Sequence, residues 1–342
     1  MVPRKLLLVR NDRLGDFLLA WPAFSFLRTA LPQTEIEALV PAYTAPLAAI
    51  CPSIDRVRIE EPDLAGVGDG ERFSRALRGC EAEWALVFAT RLPLALALWR
   101  SGIPHRLAPA TKIDQIFYTH RLIQRRSRSV KPEWEYNVDL ARHALELWGC
   151  PIPELPGPPY LRMDAETVQR SRTGFVERHG IPGHLKLVFL HPGHGGSAEN
   201  LTPDAYAYLG AGLLQDPGIM LVVTAGPMEE EMARRVVERI SRPDRTCLHI
   251  SREGITRFTE HIAFADLWIS GSTGPLHLAG ALNRPTVAFY PKRRSARSLR
   301  WGTINEEKNR LALQLEEHAE DRVELDRALG LIRDHFLSPS CP

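Results

Sequence analysis

The sequence predicts an α/β protein made of two halves, each with its own parallel β-sheet covered by helices. Three observations lead to this prediction. The chain has 342 residues, which is more than a single hydrophobic core usually holds. Short, continuous apolar runs alternate with longer helical patterns, and such runs are typical of parallel strands buried on both faces. A proline-rich segment at 149–159 interrupts this pattern near the middle of the chain, so we expect two domains, 1–153 and 154–342.

The apolar runs predict four strands in the first half and five in the second. They cover 5–10, 35–40, 56–60 and 84–90, then 185–190, 219–224, 246–250, 267–270 and 286–290. Helices are predicted at 16–31, 136–148, 165–179 and 276–282, with a closing helix within 320–337. Pro22 should kink or restart the first of these helices. The five prolines and two glycines of 149–159 exclude a regular element there and predict a hinge.

Composition excludes several classes of protein. Apolar residues make up 44% and charged residues 25% of the chain, which excludes wholesale disorder. The formal charge of +2 is too small for a general nucleic-acid coat, so no nucleic-acid partner is expected. Five scattered cysteines without a Cys-x-x-Cys pair favour free thiols in a reducing cytoplasm. No secretory signal is evident, and no apolar segment reaches the roughly 20 residues of a membrane span. We therefore expect a cytoplasmic protein that at most lies on a membrane.

The segment 9–16 (Val-Arg-Asn-Asp-Arg-Leu-Gly-Asp) places two carboxylates and two guanidinium groups where the first strand should end and a helix begin. Two interpretations of Asp16 stay open. As a helix N-cap, it would satisfy free backbone amides. As a carboxylate held at the carboxyl end of a strand, it could accept a proton from a hydroxyl as a general base. Both interpretations can hold at once.

The second half opens in the same way, with a strand followed by a glycine-containing loop at 191–200. Glycines let a backbone approach a ligand closely, and short polar side chains add hydrogen-bond donors. The candidate ligand-binding residues of this loop are Gly193, His194, Gly195, Ser197 and Asn200. His191 and His194 lack the supporting Cys, His or acidic residues of a zinc site. Two such units facing each other predict a cleft lined by the carboxyl ends of both sheets, where open α/β sheets bind ligands.

A third candidate site lies at 269–279 (Ile-Ser-Gly-Ser-Thr-Gly-Pro-Leu-His-Leu-Ala). A strand should end there in small and hydroxylated residues, and a helix should follow with Pro275 in its first turn. The free amides of such a helix start, together with the helix dipole, bind phosphate well. An ordinary tight turn and helix cap would show the same pattern, so both interpretations stay open.

Two basic stretches could contact acidic partners. They are Arg121, Arg125, Arg126, Arg128 and Lys131, and then Lys292, Arg293, Arg294, Arg297 and Arg300. Basic runs are usually solvated faces. The second stretch directly follows a strand, so contact with a phosphate is plausible there. The first could meet an acidic acceptor or anionic lipid.

Motifs of several enzyme classes are absent from the sequence. There is no Gly-x-x-x-x-Gly-Lys-Ser/Thr loop, no Gly-x-Gly-x-x-Gly after the first strand, no His-Glu-x-x-His and no Asp-x-Asp pair. These absences disfavour a kinase, a dehydrogenase and a zinc protease.

Three stretches together carry a resemblance. They are Arg-Asn-Asp-Arg-Leu-Gly-Asp at 10–16 with Trp-Pro-Ala at 21–23, His-Pro-Gly-His-Gly-Gly-Ser at 191–197, and Ser-Thr-Gly-Pro-Leu-His-Leu-Ala at 272–279 with Arg-Pro-Thr-Val-Ala at 284–288. In this order and spacing they resemble the heptosyltransferases of glycosyltransferase family 9. The resemblance extends over nearly the whole chain, including Glu-Tyr-Asn-Val-Asp-Leu-Ala at 135–141.

The resemblance implies a GT-B fold, in which two Rossmann-like domains face each other across a cleft. The first domain would bind the acceptor and the second the nucleotide-sugar donor. It also implies inverting glycosyl transfer without a catalytic metal or other cofactor, with a nucleotide-diphosphate sugar such as ADP-heptose as the donor substrate. The expected acceptor is a lipopolysaccharide core or another anionic surface glycan or glycolipid, reached by peripheral contact with the inner membrane.

The same resemblance assigns roles to individual residues. Asp16 corresponds to the catalytic base, the turn at Thr273 to the diphosphate site, and Glu229 or Glu230 to the ribose contact. The expected donor-binding residues are Gly193, His194, Gly195, Ser197, Asn200, Glu229, Glu230, Ser272, Thr273, Gly274, Pro275 and His277. The expected acceptor-binding residues are Asn11, Arg13, Gly15, Arg125 and Arg126.

Two positions depart from the family pattern. Heptosyltransferases usually have Asp where this chain has Ser272, and a basic residue close to the position of Glu199. These departures leave two further hypotheses: a nucleotide-sugar-binding protein that has lost catalysis, and a nucleotide-sugar epimerase of the same fold. The basic stretch at 292–300 could supply the positive charge that Glu199 does not.

Overall fold

The structure, a computed structural model, describes residues 1–61, 68–110, 113–195, 201–315 and 321–337. It divides into two units, Met1–Leu161 and Arg162–Pro342. Each unit is built around one parallel sheet, as the continuous apolar runs predicted.

The described residues of the first unit form one sheet of six strands. The strands are β1 (Lys5–Val9), β2 (Glu35–Pro41), β3 (Arg56–Glu60), β4 (Trp84–Val87), β5 (His105–Pro109) and β6 (His120–Leu122). They are parallel and lie in the order β3-β2-β1-β4-β5-β6. This is the doubly wound order, in which the ligand crevice lies at the carboxyl ends of β1 and β4, where the winding reverses.

Helices cover both faces of this sheet, and Leu6 to Val9 of β1 are fully buried as a result. The helices are α1 (Leu14–Leu18), α2 (Trp21–Ala30), α3 (Ala45–Ala49), α4 (Asp69–Ala76), α5 (Leu92–Arg100) and α6 (Glu133–Trp148), with 3₁₀ turns at Ile113–Phe117 and Arg126–Arg128. Helices α4 and α5 pack together, as do α2 and α6. Leu7, Val9, Phe73 and Leu98 belong to one continuous core.

The first helical segment differs from the prediction of one helix over 16–31. Helix α1 ends at Leu18, and α2 begins at Trp21 with Pro22 in its first turn, so the proline restarts the helix rather than kinking it. The N-cap of α1 is Arg13, and no side chain caps that helix. The interpretation of Asp16 as an N-cap is therefore wrong: Asp16 lies inside the first turn, and its carboxylate is engaged elsewhere.

The second unit repeats the same topology. Its strands are β7 (Lys186–His191), β8 (Ile219–Ala225), β9 (Thr246–Ile250), β10 (Leu267–Gly271), β11 (Thr286–Pro291) and β12 (Arg310–Leu315). They are parallel and lie in the order β12-β11-β10-β7-β8-β9. The winding reverses between β7 and β10, so the crevice of this unit lies at the carboxyl ends of those two strands.

The helices of the second unit cover its sheet in the same manner. They are α7 (Ala165–Arg178), α8 (Pro203–Leu213), α9 (Glu230–Ile240), α10 (Gly254–Ala263), α11 (Gly274–Ala281), α12 (Ser298–Trp301) and α13 (Arg322–Ile332), with 3₁₀ turns at Pro227–Glu229 and Glu307–Asn309 and a π-helical turn at Arg333–Leu337. Helix α13 packs on α8. A Cβ on Gly212 would lie 2.4 Å from a methyl carbon of Leu329, so glycine at this position permits the close approach of the two helices.

The predicted α/β class with two Rossmann-like sheets is confirmed. Each predicted strand is present, and the segment 149–159 forms no helix or strand. Strands β5, β6 and β12 were not predicted. Among the described residues, no helix combines the length and apolar character that a bilayer crossing requires. The assignment of acceptor and donor to separate domains, and the cleft between them, stay predictions.

Candidate functional site

The catalytic residue predicted in the first unit lies at the crevice of its sheet. Asp16 follows the carboxyl end of β1 by a short turn, and 18% of its side chain is exposed. Its carboxylate oxygen Oδ1 accepts a hydrogen bond of 2.9 Å from Nη2 of Arg10. Arg10 is the first residue after β1, and its side chain is only 2% exposed. A buried guanidinium therefore holds Asp16 in place.

Arg10 is itself fixed by several partners. Its Nε lies 2.8 Å from Oδ1 of Asp12, and its Nη2 lies 3.8 Å from Oε1 of Glu133 at the start of α6. Its Nη1 donates to the carbonyl oxygen of Phe88 and to Oδ1 of Asn137, both at 3.3 Å. The guanidinium thus joins the end of β1 to the residue after β4 and to α6.

An ion pair between Arg126 and Glu133 completes the group, with Nη1 2.6 Å from Oε1. We call Arg10, Asp12, Asp16, Arg126 and Glu133 the Arg10 cluster. Burial alone would lower the pKa of Arg10, but the carboxylates of Asp12, Asp16 and Glu133 raise it overall. Burial lowers the pKa of Arg126 despite its contact with Glu133. Both guanidinium groups stay charged at neutral pH, because an arginine pKa begins above 12.

Asp12 differs from an ordinary surface aspartate. Burial raises its pKa to about 6; the positive charge of Arg10 opposes this shift and the negative charge of Asp16 adds to it. The backbone oxygen of Asp12 accepts a 2.8 Å hydrogen bond from the hydroxyl of Tyr43, which follows β2. Residues after β1, β2 and β4 therefore meet at one edge of the sheet.

Asn11, predicted to bind the acceptor, is buried at this same edge. Its Nδ2 donates to Oε2 of Glu60 over 3.0 Å, and its backbone oxygen accepts a 2.9 Å hydrogen bond from Arg91. The other oxygen of Glu60 lies 3.3 Å from Arg72. Oδ1 of Asn11 is buried without a hydrogen-bond partner among the described residues, so it has capacity for a ligand donor.

The other predicted acceptor residues occupy different environments. Arg13 is exposed and Gly15 is partly exposed, and both contribute carbonyls to the first turn of α1. Arg125 is exposed, whereas the guanidinium of Arg126 also donates to Oε1 of Gln124. The structure thus brings Arg126 to Asp16 through Arg10 and leaves Arg125 facing solvent.

A pocket of about 300 Å³ lies beside Arg125, between the segment after β6 and the outer face of α6. Its lining includes Arg125, Lys131, Arg142, His143 and Asp139. Lys131 is paired with Asp139. The charged lining consists of three cations, Arg125, Lys131 and Arg142, and two carboxylates, Asp139 and Glu146, so the positive excess is one charge.

In the second unit, three strand ends supply the predicted donor residues. Glu229 follows β8, and one of its oxygens, Oε1, accepts hydrogen bonds of 2.7 Å from the backbone amides of both His194 and Gly195, which follow β7. Glu230 points to other partners: it pairs with Arg234 at 2.6 Å and also with Arg252. Of the two acidic residues predicted to contact a ribose, Glu229 is the one at the glycine loop.

His191 lies beneath this loop as the last residue of β7. It is buried, and its Nδ1 lies 2.8 Å from the hydroxyl of Thr224. Burial lowers the pKa of His191 to about 4, although the nearby charge of Glu229 opposes the shift. His191 is therefore a buried residue at the end of a strand, and its interpretation as a loop histidine is wrong.

The start of α11 provides the third part of this edge. Thr273 is its N-cap in an extended conformation, but the side chain makes no capping hydrogen bond. Within the described parts of the chain, Oγ1 of Thr273 and Nδ1 of His277 are both buried without a hydrogen-bond partner. Burial lowers the pKa of His277 to about 4. These two polar atoms therefore have hydrogen-bonding capacity for a ligand beside the amides of a helix start.

The remaining predicted donor residues are placed as follows. Ser272, Gly274 and Pro275 are partly exposed around the start of α11. Ser197, Glu199 and Asn200 lie outside the described residues. In the second basic stretch, Arg300 stacks over Trp301 at 4.8 Å, and Lys292, Arg293 and Arg294 are exposed after β11.

No group of three or more His, Cys, Asp or Glu side chains in the described ranges is arranged to hold a metal ion. The residues that sequence reasoning did not assign are Arg10, Asp12, Glu133 and Asn137. The signal for Arg10 was present, since a charged residue directly after a fully apolar strand needs partners. The signal for Glu133 was not, because Arg10, which it approaches, lies far away along the chain.

Comparisons with known proteins agree with this architecture. The sequence model of glycosyltransferase family 9 (heptosyltransferase) matches residues 71–331. The "Putative glycosyltransferase" of Haemophilus influenzae is 43% identical over 302 residues, which cover 88% of this chain and 86% of that protein. Lipopolysaccharide heptosyltransferase 2 of Escherichia coli is 22% identical over 84% of this chain and 82% of its own. The solved structure of E. coli ADP-heptose lps heptosyltransferase II has a TM-score of 0.76 at 19% identity, covering 97% of this chain and 98% of that one.

Proposed function

The chain belongs to glycosyltransferase family 9, and from this premise we propose that it transfers a sugar, with inversion, from a nucleotide-diphosphate sugar to an acceptor hydroxyl. The first unit binds the acceptor and the second binds the donor. Asp16 is the general base. The single observation that carries the proposal is the fixed position of Asp16: a carboxylate at the crevice of its sheet, held by a buried arginine and still partly open to solvent.

The reaction needs a base because an acceptor hydroxyl is a weak nucleophile. Asp16 removes the proton as the acceptor oxygen attacks the anomeric carbon from the side opposite the diphosphate, which inverts that carbon. A positioned base contributes about 10²- to 10⁴-fold to such a step. The leaving diphosphate gains negative charge, and amides aimed at that charge lower the barrier further.

The donor site is supported by two groups of atoms in the second unit. The uncapped start of α11 offers backbone amides together with the buried hydroxyl of Thr273. The carboxylate of Glu229 lies at the glycine loop, where it can accept hydrogen bonds from sugar hydroxyls of a nucleoside. ADP-heptose is the donor we propose to test first, since one structural relative is an ADP-heptose enzyme by its title. Ser272 and Glu199 make related nucleotide sugars the next candidates.

We propose an anionic lipopolysaccharide core or similar glycolipid as the acceptor, met in the cytoplasm at the inner membrane. Two features of the first unit support this. The pocket beside Arg125, Lys131 and Arg142 suits acidic groups. The segment around β6 also exposes apolar side chains next to these cations: Ile113, Ile116, Ile123 and Val130 are each more than 60% exposed, at 76%, 69%, 74% and 62%. Apolar residues among basic ones are typical of proteins that lie on anionic membranes.

The test is transfer activity with a panel of ADP-, GDP- and UDP-sugars and truncated lipopolysaccharide acceptors, with products read by mass spectrometry. Wild-type protein should give a product heavier than the acceptor by one sugar residue. Asp16→Asn should lose about 10²-fold or more of the rate while binding ADP as wild type does in calorimetry. The matched control is Asp55→Asn. Asp55 directly precedes β3, at the amino ends of the strands of the same sheet, and pairs with Arg28.

The same panel separates the alternative hypotheses. A protein that has lost catalysis would bind a donor and give no product with any acceptor. An epimerase would change the donor sugar in the absence of acceptor. Near-normal transfer by Asp16→Asn would remove Asp16 from the mechanism.

A further inference from the structure

We propose that Asp12 is a positioning residue for the base. Its negative charge keeps Asp16 able to accept a proton, and Arg10 contacts both carboxylates. The inference rests on the proposed function, because it concerns the group that deprotonates the acceptor. It adds a residue to which neither the sequence pattern nor the family resemblance gave a role.

The geometry begins with one edge of the Arg10 guanidinium. Nε and Nη2 form this edge, which commonly receives both oxygens of a single carboxylate. Here each nitrogen faces a different residue: Nε lies 2.8 Å from Asp12 and Nη2 lies 2.9 Å from Asp16. Only the contact with Asp16 is a hydrogen bond; Arg10 Nε and Asp12 Oδ1 form an ion pair, and neither atom has a hydrogen-bond partner among the described residues. Two carboxylates therefore share a single positive group.

The charges of the Arg10 cluster do not balance. Its two guanidinium groups face three carboxylates, so one negative charge is in surplus when all five groups are ionised. Glu133 is paired closely with Arg126, and only 4% of its side chain is exposed. Asp12 and Asp16 are more open, with 29% and 18% of their side chains exposed. The surplus charge belongs to these two, and uptake of one proton there makes the cluster neutral.

This surplus answers a difficulty with Asp16 as a base. A guanidinium hydrogen bond stabilises the ionised carboxylate and so weakens it as a proton acceptor. A second negative charge at short range has the opposite effect. Burial together with the charge of Asp16 raises the pKa of Asp12 to about 6 in spite of Arg10, which indicates that the two carboxylates interact.

Within the described part of the chain, the charged or titratable groups near Asp12 come from several segments. Arg10 follows β1, Asp16 lies on α1, the hydroxyl of Tyr43 follows β2, Glu133 begins α6, and Arg126 lies in the 3₁₀ turn before it. The exposed Arg13 adds a weaker positive charge near Tyr43. None of these but Asp16 and Glu133 carries negative charge at neutral pH, and Glu133 is neutralised by Arg126.

In the chemical step the O–H bond of the acceptor breaks and its proton moves to a carboxylate oxygen of Asp16. The acceptor oxygen forms the new bond to the anomeric carbon. The bond from that carbon to the diphosphate oxygen breaks, and its electron pair leaves with the diphosphate. Asp12 forms and breaks no bond; its charge favours the protonated form of Asp16 once the proton has arrived.

The first test needs no substrate. Carboxyl-carbon NMR of aspartate-labelled protein follows the titration of Asp12 directly, with Asp12→Asn as the assignment control. In Asp16→Asn, Asp12 should titrate at lower pH than in wild type, because the charge of Asp16 raises the pKa of Asp12. Asp55→Asn should leave this titration unchanged. An unchanged Asp12 titration in Asp16→Asn would show that the two carboxylates do not interact, and would overturn the inference whatever the reaction proves to be.

The second test uses the donor and acceptor pair found by the panel. Asp12→Asn should lower kcat roughly tenfold and move the acidic limb of its pH profile to lower pH, while KM for the donor stays at the wild-type value. Asp12→Glu should restore part of kcat. If Asp16→Asn is inactive but Asp12→Asn has the wild-type kcat and pH profile, then the assignment of Asp16 as the base is supported and the proposed role of Asp12 is wrong. If Asp16→Asn is active, the proposed base fails first.

Thermal unfolding separates this role from a structural one. A carboxylate whose pKa is raised by folding costs stability at pH above the folded value, and the cost disappears below the unfolded value. At about pH 8, Asp12→Asn should therefore unfold at the wild-type temperature or higher, because the substitution removes the carboxylate charge that costs stability there. A variant that loses activity only in proportion to lost stability would assign Asp12 to structure and overturn the proposal.

Discussion

Glu229 leaves no room for a side chain on Gly193. A Cβ built on Gly193 would lie 2.0 Å from Oε2 of Glu229, well inside contact distance. The other oxygen of the same carboxylate holds the amides of His194 and Gly195. The glycine therefore allows one acidic side chain to organise the loop that follows β7.

Gly193→Ala should displace the Glu229 carboxylate and break its two hydrogen bonds to the loop. We expect a loss of about 1–3 kcal/mol in the free energy of unfolding, as for other crowding substitutions, and weaker binding of ADP in calorimetry. Gly226→Ala is the matched control, because Gly226 lies in the same region with nothing within 4 Å of its Cβ position. Equal free energies of unfolding and equal ADP affinities in the two variants would show that crowding of Glu229 affects neither stability nor ADP binding.

Thr273→Val should separate ligand binding from stability. The hydroxyl of Thr273 is buried without a partner among the described residues, and such a group costs free energy in the unliganded protein. We expect Thr273→Val to be as stable as wild type or up to about 1 kcal/mol more stable, yet to bind ADP more weakly. Thr224→Val makes the same substitution where the hydroxyl contacts His191, so it should be destabilised. Unaltered ADP affinity in Thr273→Val would exclude that hydroxyl from the donor site.

Acid should destabilise the second unit through its buried histidines. Burial lowers the pKa of His191, His249 and His277 to about 4 and that of His261 to about 3. These groups are neutral in the folded state and take up protons on unfolding once the pH falls below about 6.5, so stability declines from there down to the folded values. Each histidine contributes up to about 1.4 kcal/mol per pH unit in this window.

His261→Phe tests this dependence, because His261 already packs among aromatic rings, with the Phe264 ring centroid 5.7 Å away. The variant should lose stability less steeply between about pH 6.5 and 4 in chemical denaturation. His184→Phe, at an exposed position, should keep the wild-type slope. A wild-type slope in His261→Phe as well would mean that this histidine does not titrate on unfolding.

Membrane contact by the segment around β6 should depend on its exposed isoleucines. Ile116→Glu combined with Ile123→Glu replaces apolar contact area by negative charge next to Arg121 and Arg125, so binding to phosphatidylglycerol vesicles in flotation should fall severalfold. Val323→Glu is the control, since Val323 in the second unit is as exposed as Ile123, at 74% each. Undiminished vesicle binding by the double variant, or equal binding of wild type to neutral phosphatidylcholine vesicles, would exclude this surface.

Sequence reasoning predicted those parts of the fold whose burial is local and continuous. Strands β1, β8 and β11 each contain a continuous apolar run, because helices cover both faces. Strand β12 was not predicted, because an edge strand alternates polar and apolar residues, as in Arg310–Leu315. Strand β5 (His-Arg-Leu-Ala-Pro) was missed because its apolar run is only Leu107 and Ala108. Its charged residue, Arg106, is buried through hydrogen bonds to the backbone oxygens of Phe117 and Ile103.

The candidate site shows the same division. The position of Asp16 after a strand could be predicted, since strand ends in α/β sheets carry ligand-binding residues. The contacts of Arg10 with Glu133 and Asn137 could not, because they join segments that are distant in sequence. The assignment of Asp16 as an N-cap failed for a local reason: the helix begins two residues earlier, at Leu14.

Helix α13 packs on α8 through the contact between Gly212 and Leu329, so the core of the second unit is complete only after α13 has been synthesised. Helix α8 needs α13, which lies near the end of the chain, to cover its exposed flank, and the edge strand β12 also lies past residue 309. The first unit ends at Leu161 and can fold while the ribosome is still translating. The second unit completes its core only after Leu329 has emerged, and in that interval its apolar helix face is a substrate for chaperones.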